Sequence, residues 1–268
     1  MKYIIILTVF YYTIPAFAQE ITEENYLQED SLVWEKYKVI ETRMFQLMEK
    51  YPEKRDSLLT VLYEKELPSI LRESRNLALK YASIPRGLEQ LFRMRLTVPK
   101  DTLTLIFKSL PPNMQESFYG KCLHRHIITK QIEEGDLYFD FQGSKENGTE
   151  FHLSSLAGKR ILLLYGGLGC MGEKGRTYLA DLYQKYSDDN FEIVVFWPCS
   201  SLEELKEYKK RYPFPYTFVS DFFEDQSPVK ITYGTQATPT CFFIDPQGIV
   251  KMRSEGFNPT LCEQLLKE

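Results

Sequence analysis

Histidine is scarce in this chain, with three residues in 268, and no pair of them has the spacing typical of a metal site. Positive charge is not in excess either. Lysine and arginine number 33 against 37 acidic residues, which leaves a formal net charge of −4 and no electrostatic footprint for nucleic acid. Beyond residue 18, no apolar run is long enough to cross a bilayer. We therefore expect no metal, no cofactor, no nucleic-acid partner and no membrane span in the mature chain.

Cysteine is also sparse. The five residues are Cys122, Cys170, Cys199, Cys241 and Cys262. This density is too low for a small scaffold held together by disulfides, so a hydrophobic core must stabilise the fold. In an oxidising compartment, an odd number leaves at least one cysteine without a partner in the same chain.

The first eighteen residues have the three parts of a secretory signal peptide. Lys2 supplies the positive charge, residues 3–14 are apolar, and Ala16-Phe17-Ala18 is a small-x-small cleavage site. The pattern predicts cleavage after residue 18 and a periplasmic or secreted protein. An N-terminal membrane anchor is the alternative, although the apolar run is short for that purpose.

Residues 19–133 are predicted to form an all-α domain. Apolar residues recur there at steps of three and four, for example at Leu32, Val33, Tyr37, Ile40, Met44, Phe45 and Met48. Prolines separate the segments: Pro52 ends the first long helix, and Pro68 kinks or restarts the second. This part contains no Gly-rich phosphate loop, and we expect it to supply no catalytic group.

After Gly135 the hydrophobic period changes from that of helices to that of strands. Two short strands at residues 138–141 and 151–153 surround the turn signal Asn147-Gly148. Strands at 160–165, 191–197, 240–244 and 249–253 then follow, with helices at 173–186, 201–211 and from 259 onward. This order predicts an α/β fold in residues 134–268, a mixed sheet with helices on both faces, preceded by the all-α domain.

Two short motifs in this second part resemble the thioredoxin superfamily. They are Gly166-Gly167-Leu168-Gly169-Cys170 after a buried strand, and Ala237-Thr238-Pro239-Thr240 followed by Asp245-Pro246-Gln247-Gly248. The order and spacing are similar to those of the periplasmic thiol-disulfide oxidoreductases of the TlpA and ResA type, near the AhpC/TSA peroxiredoxin branch. The resemblance covers residues 134–268 and implies a thioredoxin-like domain.

The resemblance places Cys170 in the position of the redox-active cysteine. A cysteine at the junction of strand and helix lies at the positive end of the helix dipole, which favours the nucleophilic thiolate. The resemblance also implies that Pro239 is cis and that Thr238 lies against the sulfur to bind an extended substrate. A protein or a small molecule with a thiol or disulfide is the implied substrate.

The motif nevertheless departs from the family pattern Trp-Cys-Gly-Pro-Cys, because this chain has Gly169-Cys170-Met171-Gly172-Glu173. Glu173 occupies the place of the resolving cysteine, so no disulfide can form within the motif. Its carboxylate also opposes a thiolate at Cys170. The threonine that peroxiredoxins carry three residues before their cysteine is replaced by Gly167.

Cys199, which follows a neighbouring strand, is the candidate resolving partner for Cys170, while Cys241 is expected to be either a partner or a small buried side chain.

Two hypotheses for function remain. The first is a secreted thiol-disulfide oxidoreductase or thiol-dependent antioxidant that uses a single cysteine, Cys170. The second is a non-catalytic binding module on a thioredoxin fold.

Overall fold

The structure is a computed structural model that describes residues 20–187 and 190–267. The predicted signal peptide, residues 1–18, lies outside the described residues. No helix in the described ranges is both long enough and apolar enough to cross a membrane. The chain divides into two compact units, Met1–Gly87 and Leu88–Glu268.

Most of the first unit is helical, with α1 (Glu23–Lys50), α2 (Arg55–Val61) and α3 (Leu67–Lys80). The Thr22 hydroxyl caps α1 by accepting a hydrogen bond from the Asn25 N–H. A π-helical turn, Leu62–Glu66, joins α2 to α3 directly before Pro68. A proline has no N–H for the helical ladder, and the wider turn accommodates it. The predicted end of the first helix near Pro52 and the irregularity near Pro68 are both confirmed.

Helices α1 and α3 run antiparallel. Lys36 lies 2.8 Å from Glu73, and Glu29, seven residues earlier in α1, lies 2.8 Å from Lys80, seven residues later in α3. Such partly exposed ion pairs contribute little to stability. The contact depends more on a buried cluster of Tyr26, Leu77 and Tyr81, with Ile84 packed against it.

The second unit begins with further helices: the end of α4 (Pro85–Arg93), α5 (Lys100–Ser109), α6 (Pro112–Gln115) and α7 (Phe118–Ile128). This helical segment contacts the connection between the fifth and sixth strands of the sheet, residues 221–239. Arg95 donates to the Thr235 carbonyl oxygen at 2.6 Å, and the Tyr119 hydroxyl donates to the Asp225 carboxylate at 3.1 Å. The predicted domain boundary after residue 133 stays a prediction, while in the structure residues 88–133 belong to the same compact unit as the sheet.

The sheet contains β1 (Gln142–Lys145), β2 (Glu150–His152), β3 (Arg160–Tyr165), β4 (Phe191–Phe196), β5 (Thr217–Ser220), β6 (Thr240–Ile244) and β7 (Val250–Glu255). The spatial order is β2-β1-β5-β4-β3-β6-β7. Strand β3 is parallel to β4 and antiparallel to β6, with Leu164 opposite Cys241. The strand that leads to Cys170 is therefore central in the sheet, with β4 on one side and β6 on the other.

Helices α8 (Gly172–Tyr186), α9 (Leu202–Arg211), α10 (Pro228–Thr232) and α11 (Pro259–Lys267) complete this unit. Side chains of β3 alternate between the two faces of the sheet. Leu162 and Leu164 pack in one cluster with residues of α8, α9 and α11. Leu163 packs in the other cluster with Val229 of α10. The predicted α/β fold, thioredoxin-like with helices on both faces of a mixed sheet, is confirmed.

Two strand predictions were inaccurate. The first strand begins at Gln142, not at 138, because residues 137 and 138 pair with the turn before β7: Leu137 bridges to Ile249, and the Tyr138 N–H donates to the Gly248 carbonyl. The four-residue strand β5 was not predicted at all. A run this short lacks a periodic pattern that distinguishes a strand from a loop.

Candidate active site

Cys170 lies in the loop between the central strand β3 and helix α8. It is exposed, and it precedes the N-cap residue Met171 by one position. The N–H groups of Cys170 and Met171 both donate to the Gly167 carbonyl, at 2.9 and 3.1 Å, which closes the loop into a tight turn. The sulfur is thus carried near the positive end of the α8 dipole, as the sequence predicts.

The cis peptide Thr238–Pro239 lies beside this loop, at the entrance to β6. The Sγ atom of Cys170 is 3.5 Å from the Thr238 hydroxyl oxygen. Cys170 and Pro239 also line one cavity of about 430 Å³, together with Lys174, Tyr178 and Phe257 among others. The predicted proximity of Cys170, Thr238 and Pro239 therefore holds in the structure.

Gly167 permits this proximity. A Cβ atom at this position would lie 2.4 Å from the backbone nitrogen of Pro239 and 2.5 Å from its Cα, far inside van der Waals contact. Its φ of +85° is also a conformation that L side chains rarely adopt. The glycine that stands in place of the peroxiredoxin threonine thus lets the cysteine loop pack directly on the proline.

Two side chains of the neighbouring helices, Tyr208 and Arg176, form hydrogen bonds with the cysteine loop. The buried Leu168 N–H donates to the Tyr208 hydroxyl at 3.1 Å, and the Arg176 guanidinium donates to the Leu168 carbonyl at 3.0 Å. Trp197 stacks on Tyr208 with ring centroids 3.8 Å apart. The role of Tyr208 was not identified from the sequence, because helical periodicity places this residue on a buried face without showing what its hydroxyl binds.

The other four cysteines are buried, and all five thiols are free. Burial raises the pKa of Cys122 to about 11 and that of Cys262 to about 12. It also raises the pKa of Cys241 and of Cys199. Thiols of this kind are poor nucleophiles, since the thiolate is the reactive form. Cys170 alone combines exposure with a position at a helix start.

Cys199 follows β4, as predicted, but its side chain is only 3 % exposed and belongs to the apolar cluster that includes Leu205 and Tyr208. Its sulfur lies 3.4 Å from the Ser201 carbonyl oxygen. The structure holds this thiol in the core, whereas the Cys170 thiol is on the surface. Its role as a resolving cysteine stays a prediction.

Glu173 is exposed in the first turn of α8. Among the described residues, no lysine or arginine forms an ion pair with its carboxylate, and the nearby Arg176 donates to Leu168 instead. The negative charge is stabilised by the helix dipole but not by a salt bridge. Glu173 therefore places a negative charge, without a salt-bridge partner among the described residues, in the helical turn that follows Cys170.

Thr238 lines a second cavity, of about 360 Å³. Pro198 and Gln236 contribute to its wall, and helical residues contribute the rest of one side: Arg93, Phe118 and Tyr119. This contribution of the helical segment was not predicted from the sequence, since no motif in residues 88–128 points to the cysteine loop.

The three histidines do not gather into a metal site. His126 is buried, His152 lies 3.0 Å from Glu150, and the ring of His124 stacks on Phe107 at 4.9 Å. Within the described parts of the chain, no group of three or more histidine, cysteine, aspartate or glutamate side chains is arranged to hold a metal ion.

Comparisons with known proteins match about half of the chain. Residues 135–253 match the model of the AhpC/TSA family. The thiol-disulfide oxidoreductase ResA of Bacillus thuringiensis subsp. konkukian is 28 % identical over 153 residues, which is 55 % of this chain and 87 % of that protein. ResA of Geobacillus thermodenitrificans is 29 % identical over 152 residues, covering 56 % of this chain and 84 % of that protein.

Solved structures resemble about half of this chain. The thioredoxin domain of a thiol-disulfide oxidoreductase from Bacteroides vulgatus superposes with a TM-score of 0.46 and 19 % identity, over 51 % of this chain and 99 % of that one. A thiol-disulfide oxidoreductase from Bacteroides fragilis gives a TM-score of 0.44 and 19 % identity over 49 % and 98 %.

Proposed function

The chain contains a thioredoxin-like domain of the TlpA/ResA type, and we propose that it is a thiol-disulfide oxidoreductase in which Cys170 is the only nucleophile. One observation carries the proposal: of five cysteines, Cys170 alone is exposed, and its sulfur lies 3.5 Å from the hydroxyl of Thr238 beside a cis-proline. The relationship to thiol-disulfide oxidoreductases supports the reaction class.

The chemistry is thiol-disulfide exchange in two displacements. The Cys170 thiolate attacks one sulfur of a substrate disulfide, forming a mixed disulfide while the other sulfur leaves as a thiolate. A second thiolate then attacks the substrate sulfur of that mixed disulfide and releases Cys170. One disulfide and one thiol are consumed and one of each is produced, so no further oxidant or reductant is required.

The position of Thr238 suits the binding of an extended substrate. It is exposed and directly precedes the cis-proline. Thr238 lines the cavity of about 360 Å³, and the neighbouring Pro239 lines the cavity of about 430 Å³. Tyr178 and Phe257 line the first cavity, and Phe118 and Tyr119 line the second. Aromatic walls of this kind bind apolar side chains next to a disulfide, which favours a protein or peptide substrate over a very small one.

The thiol that resolves the mixed disulfide is external in this proposal. Cys199 is 3 % exposed, its pKa is raised by burial, and its sulfur lies beside the Ser201 carbonyl. Attack on a surface disulfide would require this thiol to leave the core and ionise. A cysteine from the substrate or from a separate reductant meets neither barrier.

Export to an oxidising compartment is part of the same proposal. It rests on the charge, apolar run and cleavage site of residues 2–18. The N-terminal sequence of the protein isolated from its host is expected to begin at Gln19. Retention of Met1 in that protein would contradict export by cleavage.

Turnover of hydroxyethyl disulfide with an added thiol tests the proposed reaction. Intact mass spectrometry is expected to show a single adduct on the native protein, which the added thiol removes. Cys170→Ser is expected to abolish both adduct and turnover, and Cys199→Ser, as the matched control, is expected to leave both unchanged.

Two results would change the conclusion. If Cys199→Ser accumulates the adduct and loses turnover, Cys199 is the resolving cysteine. If the native protein forms no adduct while the unfolded chain does, Cys170 is not a working nucleophile. The domain is then a non-catalytic binding module.

A further inference from the structure

A cavity of about 320 Å³ lies in the second unit, away from the cysteine loop. Helical residues contribute one side of it, and Gly234 and strand β7 contribute another. Its wall includes Arg95, Lys100, His126, Gln131, Gly234 and Arg253. None of these residues has a part in the proposed thiol chemistry.

Three cations face this cavity without a carboxylate partner. Arg95 donates to backbone carbonyls and to Gln236, Lys100 donates to the Thr129 carbonyl, and Arg253 donates to the Gly234 carbonyl. Among the described residues, none of the three forms an ion pair. Arg95 is buried, whereas Lys100 and Arg253 are half-buried. A buried cation without a counter-ion is costly, so the position of Arg95 needs an explanation.

Arg95 is the most deeply buried of the three cations. Its side chain is 0 % exposed, and burial lowers its pKa to about 10, so that it remains charged at neutral pH. The two terminal nitrogens donate to oxygens of Phe92, Thr235 and Gln236, but Nε has no hydrogen-bond partner within the described chain. A buried donor of a charged group is thus left unsatisfied.

His126 adds a second unsatisfied atom. It is 2 % exposed, and its Nδ1 atom also has no hydrogen-bond partner in the described residues. Burial lowers its pKa to about 3, with Arg95 and Lys100 contributing in the same direction. At neutral pH the imidazole is neutral and can donate one hydrogen bond to an acceptor in the cavity.

We propose that this cavity binds a small oxyanion, a carboxylate or phosphate group, which Arg95, Lys100 and Arg253 hold by charge and His126 holds by a hydrogen bond. An oxyanion supplies both the negative charge and the acceptor oxygens that these groups lack. Glu133 and Glu255, which are exposed, also line the cavity. Their charges disfavour a large polyanion, so the site suits a compact ligand.

The test uses the folded protein labelled with ¹³C-histidine and follows the ring signal of His126, assigned by its loss in His126→Gln. Inorganic phosphate and acetate are titrated separately at pH 7 and constant ionic strength, with chloride as the reference. We expect a saturable shift of the His126 signal with at least one oxyanion and none with chloride. Saturation by phosphate alone identifies a phosphate site, and saturation by acetate a carboxylate site.

Variants of one helix provide the matched control. Lys100 and Lys108 both belong to α5, but Lys108 is exposed and outside the cavity. Loss of one charge-assisted contact in Lys100→Gln is expected to weaken binding about ten-fold, and Lys108→Gln is expected to leave it unchanged. If Lys100→Gln does not fold, Arg253→Gln takes its place.

Either of two results overturns the proposal. One is the absence of a saturable shift with phosphate and with acetate, which means that water alone satisfies the buried donors. The other is an equal response to chloride, or equal weakening by both lysine variants, which means that the anions act on the general charge of the protein.

Discussion

Replacing Gly167 by alanine tests the contact that joins the cysteine loop to the cis-proline. The new Cβ would lie 2.4, 2.5 and 2.6 Å from three atoms of Pro239. Carbon atoms in contact prefer about 3.5–4.0 Å, so the overlap is roughly 1 Å, and the ring and backbone atoms of a proline cannot rotate away. The loop or the proline must therefore move.

Two contributions determine how much Gly167→Ala is expected to lower the free energy of unfolding. A φ of +85° is unfavourable for alanine by about 1–2 kcal/mol, and forced overpacking adds about 1–3 kcal/mol. Gly158 offers a matched control, because its φ is also +85° and no atom lies within 4 Å of a Cβ placed there. Gly158→Ala is expected to be destabilised only by the unfavourable φ. The difference in the free energy of unfolding between the two variants, about 1–3 kcal/mol, therefore isolates the clash with Pro239.

Urea unfolding of both variants measures the difference in the free energy of unfolding, and the rate at which iodoacetamide labels Cys170 reports on the loop itself. The labelling rate is expected to change in Gly167→Ala and to stay at the native value in Gly158→Ala. Equal destabilisation by the two substitutions would refute the close packing of Gly167 on Pro239.

Three further predictions concern the surroundings of the loop and the buried histidine. Tyr208→Phe removes the acceptor of the buried Leu168 N–H and is expected to lower the free energy of unfolding by about 1–3 kcal/mol in urea; no loss would contradict that bond. Glu173→Gln is expected to speed alkylation of the active-site cysteine about two- to five-fold near neutral pH, while Asp181→Asn, two turns further along α8, has no effect; equal rates in both would exclude the local charge effect. The pKa of His126 is lowered from 6.5 to about 3, so that, as the pH falls, the unfolded chain takes up a proton at this residue before the folded protein does. Above pH 6.5 this histidine therefore does not reduce the free energy of unfolding. As the pH drops from 6.5 toward 3, it reduces that free energy by at most about 1.4 kcal/mol per pH unit. His126→Gln is expected to lack this part of the pH dependence in urea unfolding, and an unchanged profile would contradict the buried neutral imidazole.

The sequence was most informative where a local pattern has only one structural solution. The resemblance of the Gly166–Cys170 loop and of the Thr238–Pro239 motif to the thioredoxin superfamily predicted that Cys170 lies beside Thr238 and a cis Pro239, as the structure has it. Helix ends at prolines were predictable for the same reason, because Pro52 and Pro68 act on the backbone that carries them.

The remainder depends on contacts between residues distant in the chain. The hydroxyl of Tyr208 meets Leu168 forty residues away, and Arg95 meets Thr235 across 140 residues, so no window of sequence contains both partners. The burial of Cys199 could not be predicted from the sequence for a similar reason. Its place after β4 was evident, but the packing of Leu205 and Tyr208 over it is a property of the folded unit.

The most direct test of the central claim is the rate of iodoacetamide labelling of each cysteine in the folded and in the unfolded protein, followed by peptide mapping. We predict that one of the five thiols, Cys170, labels in the folded protein, and that it labels faster there than in the unfolded chain, where all five react. Labelling of Cys170 no faster in the folded protein than in the unfolded chain would contradict the claim that Cys170 is an activated nucleophile.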